Sequence, residues 1–428
     1  MSDKEVAWYK NRTYLHFDPS ISKKTAQKIV TQPNSIKKHA FYPFIRFSIN
    51  SQKIRFDKTN KRIERKPVKE RQISYASHLD SHIYSYYSQM LSSPYEAMLE
   101  EHELDDVVLA FRAKGKSNIH FAQDAFNEIA KRESCCVIGL DIKGFFDNLN
   151  HQYLKEIWCS LLKEKTLPAD HYSVFKSLTH FSYVDRDELY EELNIPVSNP
   201  KNGRTRICTP EEFRNSVRAK GLIKTNKDSN AGIPQGSPIS ALLSNIYMLE
   251  FDKNLQAFAK VNGGKYFRYC DDMLLIVPRD LRIRTEKFAY SEIGKLKLEI
   301  QKEKNEIRIF NTLNGKLFSE KPLQYLGFTF DGRSTLIRSA SLARYYEHAN
   351  RGVRLAAATM EKYNTLRIMR GEPPKPLHLK KLYKKYSYLG RRNFLSYGYR
   401  AAKIMSSSSI KKQLRQHWKR LQEKISKI

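Results

Sequence analysis

Three aspartates stand where carboxylates could meet. Asp141 closes the apolar run Cys135–Leu140, and Asp271 and Asp272 lie between two further runs, Lys265–Tyr269 and Met273–Val277. A short apolar run reads as a buried strand, and two such runs around a brief polar break read as a hairpin. If the strands are neighbours, the carboxylates converge at one sheet edge. Oxygen-only ligands suit a hard cation such as magnesium, which keeps several of its waters. Two such ions roughly 3.5–4 Å apart activate an attacking hydroxyl and neutralise a leaving pyrophosphate, which is what adding a nucleotide to a 3′-hydroxyl requires. Taken singly the signals are weak, because a strand-terminal aspartate is commonly a turn former and an Asp-Asp pair a solvated turn.

The elements that must position these residues follow from periodicity and turn chemistry. Amphipathic patterning predicts helices near Gln72–Ser92 and over Asn118–Arg132, the second introduced by Lys114-Gly115-Lys116-Ser117. The Gly/Pro turn Gly232–Ser240 opens a helix over Ala241–Phe258. A further helix is expected over Glu286–Leu298, and a strand over Leu323–Phe330. Residues 184–230 carry Pro196, Pro200 and Gly203 among many charges, and read as an insertion or long loop region with local helices.

The blocks LDIKGFFDNL, GIPQGSPIS, YCDDMLLI and QYLGFTF succeed one another in a fixed order that random turns would not produce. Together they resemble the palm motifs of reverse transcriptases, especially the bacterial retron, group II intron and defence-associated kinds. The resemblance covers about residues 55–335. It implies an α+β right-hand polymerase, with fingers and palm (an antiparallel sheet packed on helices) followed by a basic α-helical thumb. The corresponding division is residues 1–60 as a basic extension, 61–134 as fingers, 135–332 as palm with the insertion, and 333–428 as thumb.

Roles carry over position by position. Asp141 and Asp271 match metal ligands, Asp272 matches the supporting second aspartate, and Ile142 matches a position that lends its backbone carbonyl to a metal. The resemblance implies two Mg2+ ions, with Mn2+ as a substitute. Phe146, five residues after Asp141, matches the steric gate that excludes a ribose 2′-hydroxyl; the alternative is an ordinary core ring. Gln235 and Gly236 match the segment bordering the incoming nucleotide, and glycine there lets backbone approach a ligand closely. Arg112 and Lys114 resemble the segment that grips the triphosphate, whose charge calls for cations. Arg71, in Lys69-Glu70-Arg71-Gln72-Ile73, fits the first finger motif. Lys304 falls where a lysine protonates pyrophosphate, with Lys302 as the alternative. Tyr325, Leu326 and Gly327 resemble the primer-grip hairpin.

Composition adds a polyanionic partner. The 428 residues hold 76 Lys and Arg against 45 Asp and Glu, a net +31, and such a surplus ordinarily serves nucleic acid or an acidic surface. Of the excess, 20 charges fall in residues 333–428, where 24 bases face 4 acids. Lys380, Lys381, Lys384, Lys385, Arg391, Arg392, Tyr397 and Arg400 form its densest part, where bases would meet phosphates and rings would stack on unpaired bases. The five cysteines show no CxxC spacing, and no apolar run approaches a membrane span. The expectation is a soluble, cytoplasmic protein without a membrane partner.

The short basic tail beside YCDD is similar to the anti-phage reverse transcriptases of the unknown-group lineage, most nearly the second defence type. That resemblance implies a structured noncoding RNA as template, a DNA product and primer, dNTPs as substrates, and a role in phage defence. No RNase H cluster, HNH motif or integrase triad is visible downstream, which favours a stand-alone polymerase. Two rivals stay open: a template-independent or protein-primed polymerase of the abortive-infection kind, and a non-catalytic RNA-binding protein on the same fold.

Overall fold

The computed structural model describes residues 8–52, 54–57, 62–65, 68–226 and 229–428. The chain opens with two short helices, α1 (Lys23–Val30) and α2 (Pro33–Lys37). Strand β1 (Phe44–Ser51) follows, then the hairpin β2 (Ile54–Asp57) and β3 (Arg62–Arg65), then β4 (Lys69–Tyr75). β1 and β4 pair antiparallel from Ile45↔Tyr75 to Ser51↔Lys69. A boundary at residue 60 would therefore cut between two strands of one ladder.

Residues 72–75 belong to that ladder and not to the helix their spacing predicts. The helix, α3 (His78–Glu101), starts where the Ser77 hydroxyl accepts the Asp80 amide at 3.2 Å, an N-cap that fixes its first turn. Next comes α4 (Asn118–Ala130), which ends two residues short of the expected boundary.

Strand β5 (Ser134–Asp141) leads into α5 (His151–Leu162) and α6 (Ala169–Thr179). The stretch read as an insertion is more structured than its composition suggests. β6 (Ser182–Asp185) pairs parallel with β1, and α7 (Arg186–Glu192), α8 (Pro210–Glu212) and β7 (Lys224–Thr225) follow. Val184, Leu189, Ile207 and Val217 bury together with Leu15, Phe17 and Ile45 in a separate small core. Its charges occupy the outer face, while the apolar residues among them close the four-stranded sheet β4-β1-β6-β7.

The predicted helix 241–258 is broken at Met248 into α9 (Ser240–Tyr247) and α10 (Leu249–Val261). Then come β8 (Lys265–Tyr269), β9 (Asp272–Val277), α11 (Arg282–Lys295), β10 (Glu306–Leu313) and β11 (Lys316–Phe318). The central sheet, of order β11-β10-β5-β9-β8, is antiparallel throughout. Side chains alternate across it. Cys136, Ile138, Met273, Leu275 and Val277 enter one core with α3, α9 and α10. Cys135, Val137, Leu274 and Ile276 enter a second core with α4 and the C-terminal helices. Covering both faces explains why these strands read as unbroken apolar runs.

The expected strand 323–330 is a hairpin, β12 (Leu323–Tyr325) and β13 (Phe328–Phe330), turning at Leu326 (φ 46°) and Gly327 (φ 92°). β14 (Thr335–Ile337) adds a third strand. The basic remainder forms α12 (Ser339–Met369), α13 (Leu379–Tyr386), α14 (Phe394–Ile404), α15 (Ser408–Leu414) and α16 (His417–Ile425).

Candidate active site

β5 and β9 are in register with Asp141 opposite Asp272. By alternation both side chains leave the sheet on the face of the second core. Between Tyr269 and Asp272 the chain turns in two residues, and Cys270 takes a left-handed conformation at φ 61°. A non-glycine residue there is strained by about 1–3 kcal/mol and persists only where its surroundings hold it. The turn brings Asp271 to the end of β5, where its carbonyl accepts the Ile142 amide at 3.4 Å. Asp141, Ile142, Asp271 and Asp272 thus meet at one sheet edge. Burial, then Asp271, pushes the Cys270 thiol up to about 12, so it stays protonated at neutral pH.

Lys304 reaches this edge from a short turn after α11, and its ammonium pairs with Asp141. The Asp272 side chain reaches solvent, yet crowding by protein and then by Asp271 and Asp141 pushes its carboxyl up to about 6, against Lys304 and Arg338. That mutual repulsion among three carboxylates is what a bound cation relieves. Among the described residues no three acidic, histidine or cysteine side chains are gathered at metal-ligand distance; Lys304 holds Asp141 instead. The donor set, carboxylates with a backbone carbonyl beside them and neither nitrogen nor sulfur ligands, fits a hard divalent cation.

Arg112 and Lys114 pair with carboxylates of α3 and of their own loop. Arg112 is almost wholly buried and spends its donors on Glu96, on Asp105 and on the carbonyls of Asp105 and Val108. Lys114 closes the same loop onto Asp105, at 2.8 Å from its carboxylate. A guanidinium with every N–H placed on protein has none left for a triphosphate, so Arg112 builds the loop. Besides Lys304, a cation of β4 stands near the aspartates: Lys69, with Arg71 next to it. Crowding, with the charges of Lys304 and Arg71, lowers the Lys69 pKa, while Asp141 and Asp271 oppose it. Arg71 was legible in its motif, whereas Lys69 was missed. The signal was strand alternation, which puts residues 69 and 71 on one face.

The Gly232–Ser240 turn is clamped from two sides. Ile233 donates to the Phe146 carbonyl at 2.9 Å, and Ser74 of β4 donates to the Gln235 carbonyl at 2.8 Å. Gly236 has φ 116°, and a Cβ there would lie 2.5 Å from the Ser74 carbonyl oxygen. Glycine is what lets this turn meet β4, so the turn, the strand bearing Lys69 and Arg71, and the Asp141 segment form one wall.

Residues 58–330 match the family model described as "Reverse transcriptase (RNA-dependent DNA polymerase)". The chain belongs to the reverse transcriptase family. Its family places it among the RNA-directed DNA polymerases, which are nucleotidyltransferases using divalent metal ions, and its α+β fold is the right-hand one. Among solved structures it is similar to apo telomerase from Candida tropicalis truncated from the C-terminal domain, at 13% identity and a TM-score of 0.41, covering 68% of this chain and 55% of that one. It is also similar to telomerase from Candida albicans in complex with a TWJ fragment of telomeric RNA, at 11% identity and a TM-score of 0.41, covering 94% and 59%. The chain spans little more than half the length of either.

In this reverse transcriptase, Phe145 is buried while Phe146 is half-buried against the same core. The Phe146 backbone carbonyl accepts the Ile233 amide, which sets this residue beside the turn just described. Phe146→Ala is expected to raise ribonucleotide incorporation relative to deoxynucleotide by about tenfold or more, since a gate acts by steric exclusion and costs little when removed. The measurement is the ratio of kcat/KM for a dNTP and its rNTP; an unchanged ratio assigns the ring to the core.

The hairpin carrying Tyr325, Leu326 and Gly327 is fixed at its tip. The Asn118 side-chain amide donates to the Leu326 carbonyl at 3.0 Å and to the Tyr397 hydroxyl at 2.9 Å, and Arg338 donates to the Gly327 carbonyl at 3.0 Å. Tyr325 is buried, and its pKa is raised by burial, then by Asp272 and Tyr269. Tyr397 therefore belongs to the joint between hairpin and C-terminal helices and stacks on Phe328, which removes it from the expected RNA-stacking set. Tyr386 is buried and Phe394 stacks on Tyr345 at 4.7 Å, so these rings are core as well. Tyr388 is 56% exposed. Lys380, Lys381, Lys384, Lys385, Arg391, Arg392 and Arg400 are all exposed, because Leu382 and Tyr386 anchor α13 and turn its lysines outward.

Proposed function

We propose that this reverse transcriptase copies a dedicated, structured noncoding RNA into DNA with two Mg2+ ions, in the cytoplasm, as part of anti-phage defence. The observation that carries the catalytic reading is the meeting of Asp141, Asp271 and Asp272 at one sheet edge under Lys304. The bound ions would sit on Asp141 and Asp271, with Asp272 and the Ile142 carbonyl beside them, and would supply hydroxyl activation and charge neutralisation. Lys69 and Arg71 meet the triphosphate from β4, Phe146 and the Gln235–Gly236 turn border the sugar and base, and Lys304 is placed to pass a proton to the leaving pyrophosphate. Residues 61–134, 135–332 and 333–428 act as fingers, palm and thumb, with the N-terminal residues joined to the fingers sheet. The RNA-holding role of the thumb is supported by its exposed bases, and the defence role by the resemblance of YCDD and the short basic tail.

The test is to purify the protein from its native cells, sequence bound RNA and DNA together, and supply dNTPs. DNA complementary to one recurrent RNA is the expected product. DNA matching no bound RNA would replace this reading with untemplated extension, and no incorporation would leave a binding protein.

The thumb makes a separate expectation. Changing Lys380, Lys381, Lys384 and Lys385 to Ala should flatten the salt dependence of RNA binding, lowering the log–log slope by roughly three units, at about 0.7 for each phosphate no longer neutralised on a single strand. Equilibrium titrations across a salt series measure it, and an unchanged slope would place the RNA elsewhere.

A further inference from the structure

Away from the carboxylates, a groove of about 570 Å3 runs between residues 37–44 and α6. Its lining includes Lys37, Lys38 and Lys176, two histidines and five aromatic residues, and no carboxylate. Asp80, which lies behind one wall, is already taken, accepting the Tyr42 amide at 2.9 Å and pairing with His39 at 2.6 Å. Tyr172 and Tyr42 are 45% and 36% exposed. Each packs one side on a neighbouring ring, Phe175 and Phe213 respectively, and keeps part of its surface to solvent. The charged side chains lining the groove are lysines. The Lys155 ammonium adds a further cation 5.5 Å from the Tyr172 ring.

One end of this groove backs onto the active-site wall through packed side chains. His180 lines it, and its ring lies 5.8 Å from that of His151, whose Nε2 is 2.7 Å from the Gly232 carbonyl oxygen. Gly232 opens the turn that carries Gln235. A ligand in the groove therefore lies behind the wall where the template base is read.

Cations without neighbouring acids attract phosphates, and open rings stack on bases that have no pairing partner. A duplex keeps its bases stacked inside and would leave the rings unused. We propose that this groove binds a short stretch of unpaired RNA, the part of the template not yet read, ahead of the Gln235 turn. The assignment rests on the RNA-copying reading above. It also explains why exposed tyrosines accompany lysines here, whereas on α13 Tyr386 is buried, Tyr383 is half-buried against Trp418, and the lysines face out.

The test uses the full chain and a variant in which Lys37, Lys38, Tyr172 and Lys176, all exposed, are changed to Ala. A fluorescent short oligouridylate is titrated by anisotropy. Incorporation is measured on two primer–templates, one ending at the templating base and one with a long unpaired template extension. Wild type should favour the extended template, and the variant should lose that preference and bind the oligouridylate about tenfold more weakly, as expected when base stacking and phosphate pairing are removed together. Its rate on the minimal template should match wild type. Equal oligouridylate binding, or an equal loss on both templates, overturns the proposal. Lys176→Glu alone, on an exposed helix face, repeats the comparison if the fourfold variant folds poorly. If wild type incorporates nothing on RNA, the copying reading fails, and the oligouridylate titration still decides whether the groove binds unpaired RNA.

Discussion

Replacing Asp271 and Asp272 together by Asn should reduce nucleotide incorporation by at least about three orders of magnitude while leaving the fold and RNA retention in place. Charge stabilisation by bound metal is worth several kcal/mol, and each 1.4 kcal/mol is about tenfold in rate. Asn keeps the shape of the turn and removes only the charge. The fold should gain slightly if anything, because Asp272 is a carboxylate crowded by two others. RNA retention should persist because the exposed bases of α13 and α14 lie on other elements. The measurement pairs single-turnover incorporation with thermal denaturation and RNA pull-down. Robust incorporation by a folded double variant would remove the central claim.

Much of this site was readable because the sheet enforces it. A strand covered on both faces must be apolar throughout, so the first polar residue after Cys135–Leu140 marks where the strand leaves the core, and that residue is Asp141. The same logic frames Asp271 and Asp272. What was not readable depended on partners distant in sequence. Arg112 looks like a free cation until Glu96, sixteen residues earlier on α3, is folded against it. Residues 184–230 look like a loop because the sheet they complete is supplied by β1, well over a hundred residues upstream. The tail rings looked like a stacking surface because aromatic and basic residues alternate on a helix that buries one and exposes the other. Removing everything after Gly332, which sequence alone would treat as trimming a separate domain, would strip β14 from β13 and open the core shared with α4.

The deepest omission was Arg268, a charged residue inside an apolar strand and fully buried. Its Nε and one terminal nitrogen donate to the two Asp252 oxygens at 2.7 and 2.6 Å, and its other terminal nitrogen reaches Asn245 at 3.0 Å and the Cys270 carbonyl at 3.1 Å. Burial opposes the charge on Arg268, but Asp252 outweighs it and raises the pKa, so the guanidinium stays charged. A sequence signal existed: Asp252 lies on the stripe of α10 that also carries Leu255 and Ala259, all buried, and a carboxylate on a buried stripe needs a partner. The bond to Cys270 gives the pair its meaning for catalysis, since it holds the one strained residue of the turn that presents Asp271.

Arg268→Met should therefore cost about 3–5 kcal/mol of stability, the range for a buried ion pair left with one member. The cost should depend on pH with a definite sign. Burial already raises the Asp252 pKa against the lowering charge of Arg268. Removing Arg268 takes away that opposition and lifts it further, so the folded-state pKa exceeds the unfolded one. Stability is then greatest below the unfolded value and is lost as pH rises through the folded one, and the deficit against wild type should grow from acid toward neutral pH. Adding Asp252→Leu removes the stranded charge and should restore most of the stability, because an apolar pair of similar volume often replaces a buried ion pair without loss. Activity should not return with it, since Cys270 has lost its anchor, and the metal concentration needed for half-maximal rate should stay raised. Denaturation midpoints across pH, set beside metal titrations of both variants, separate the two roles. If the double variant recovered wild-type metal dependence along with stability, Arg268 would be a core residue and nothing more.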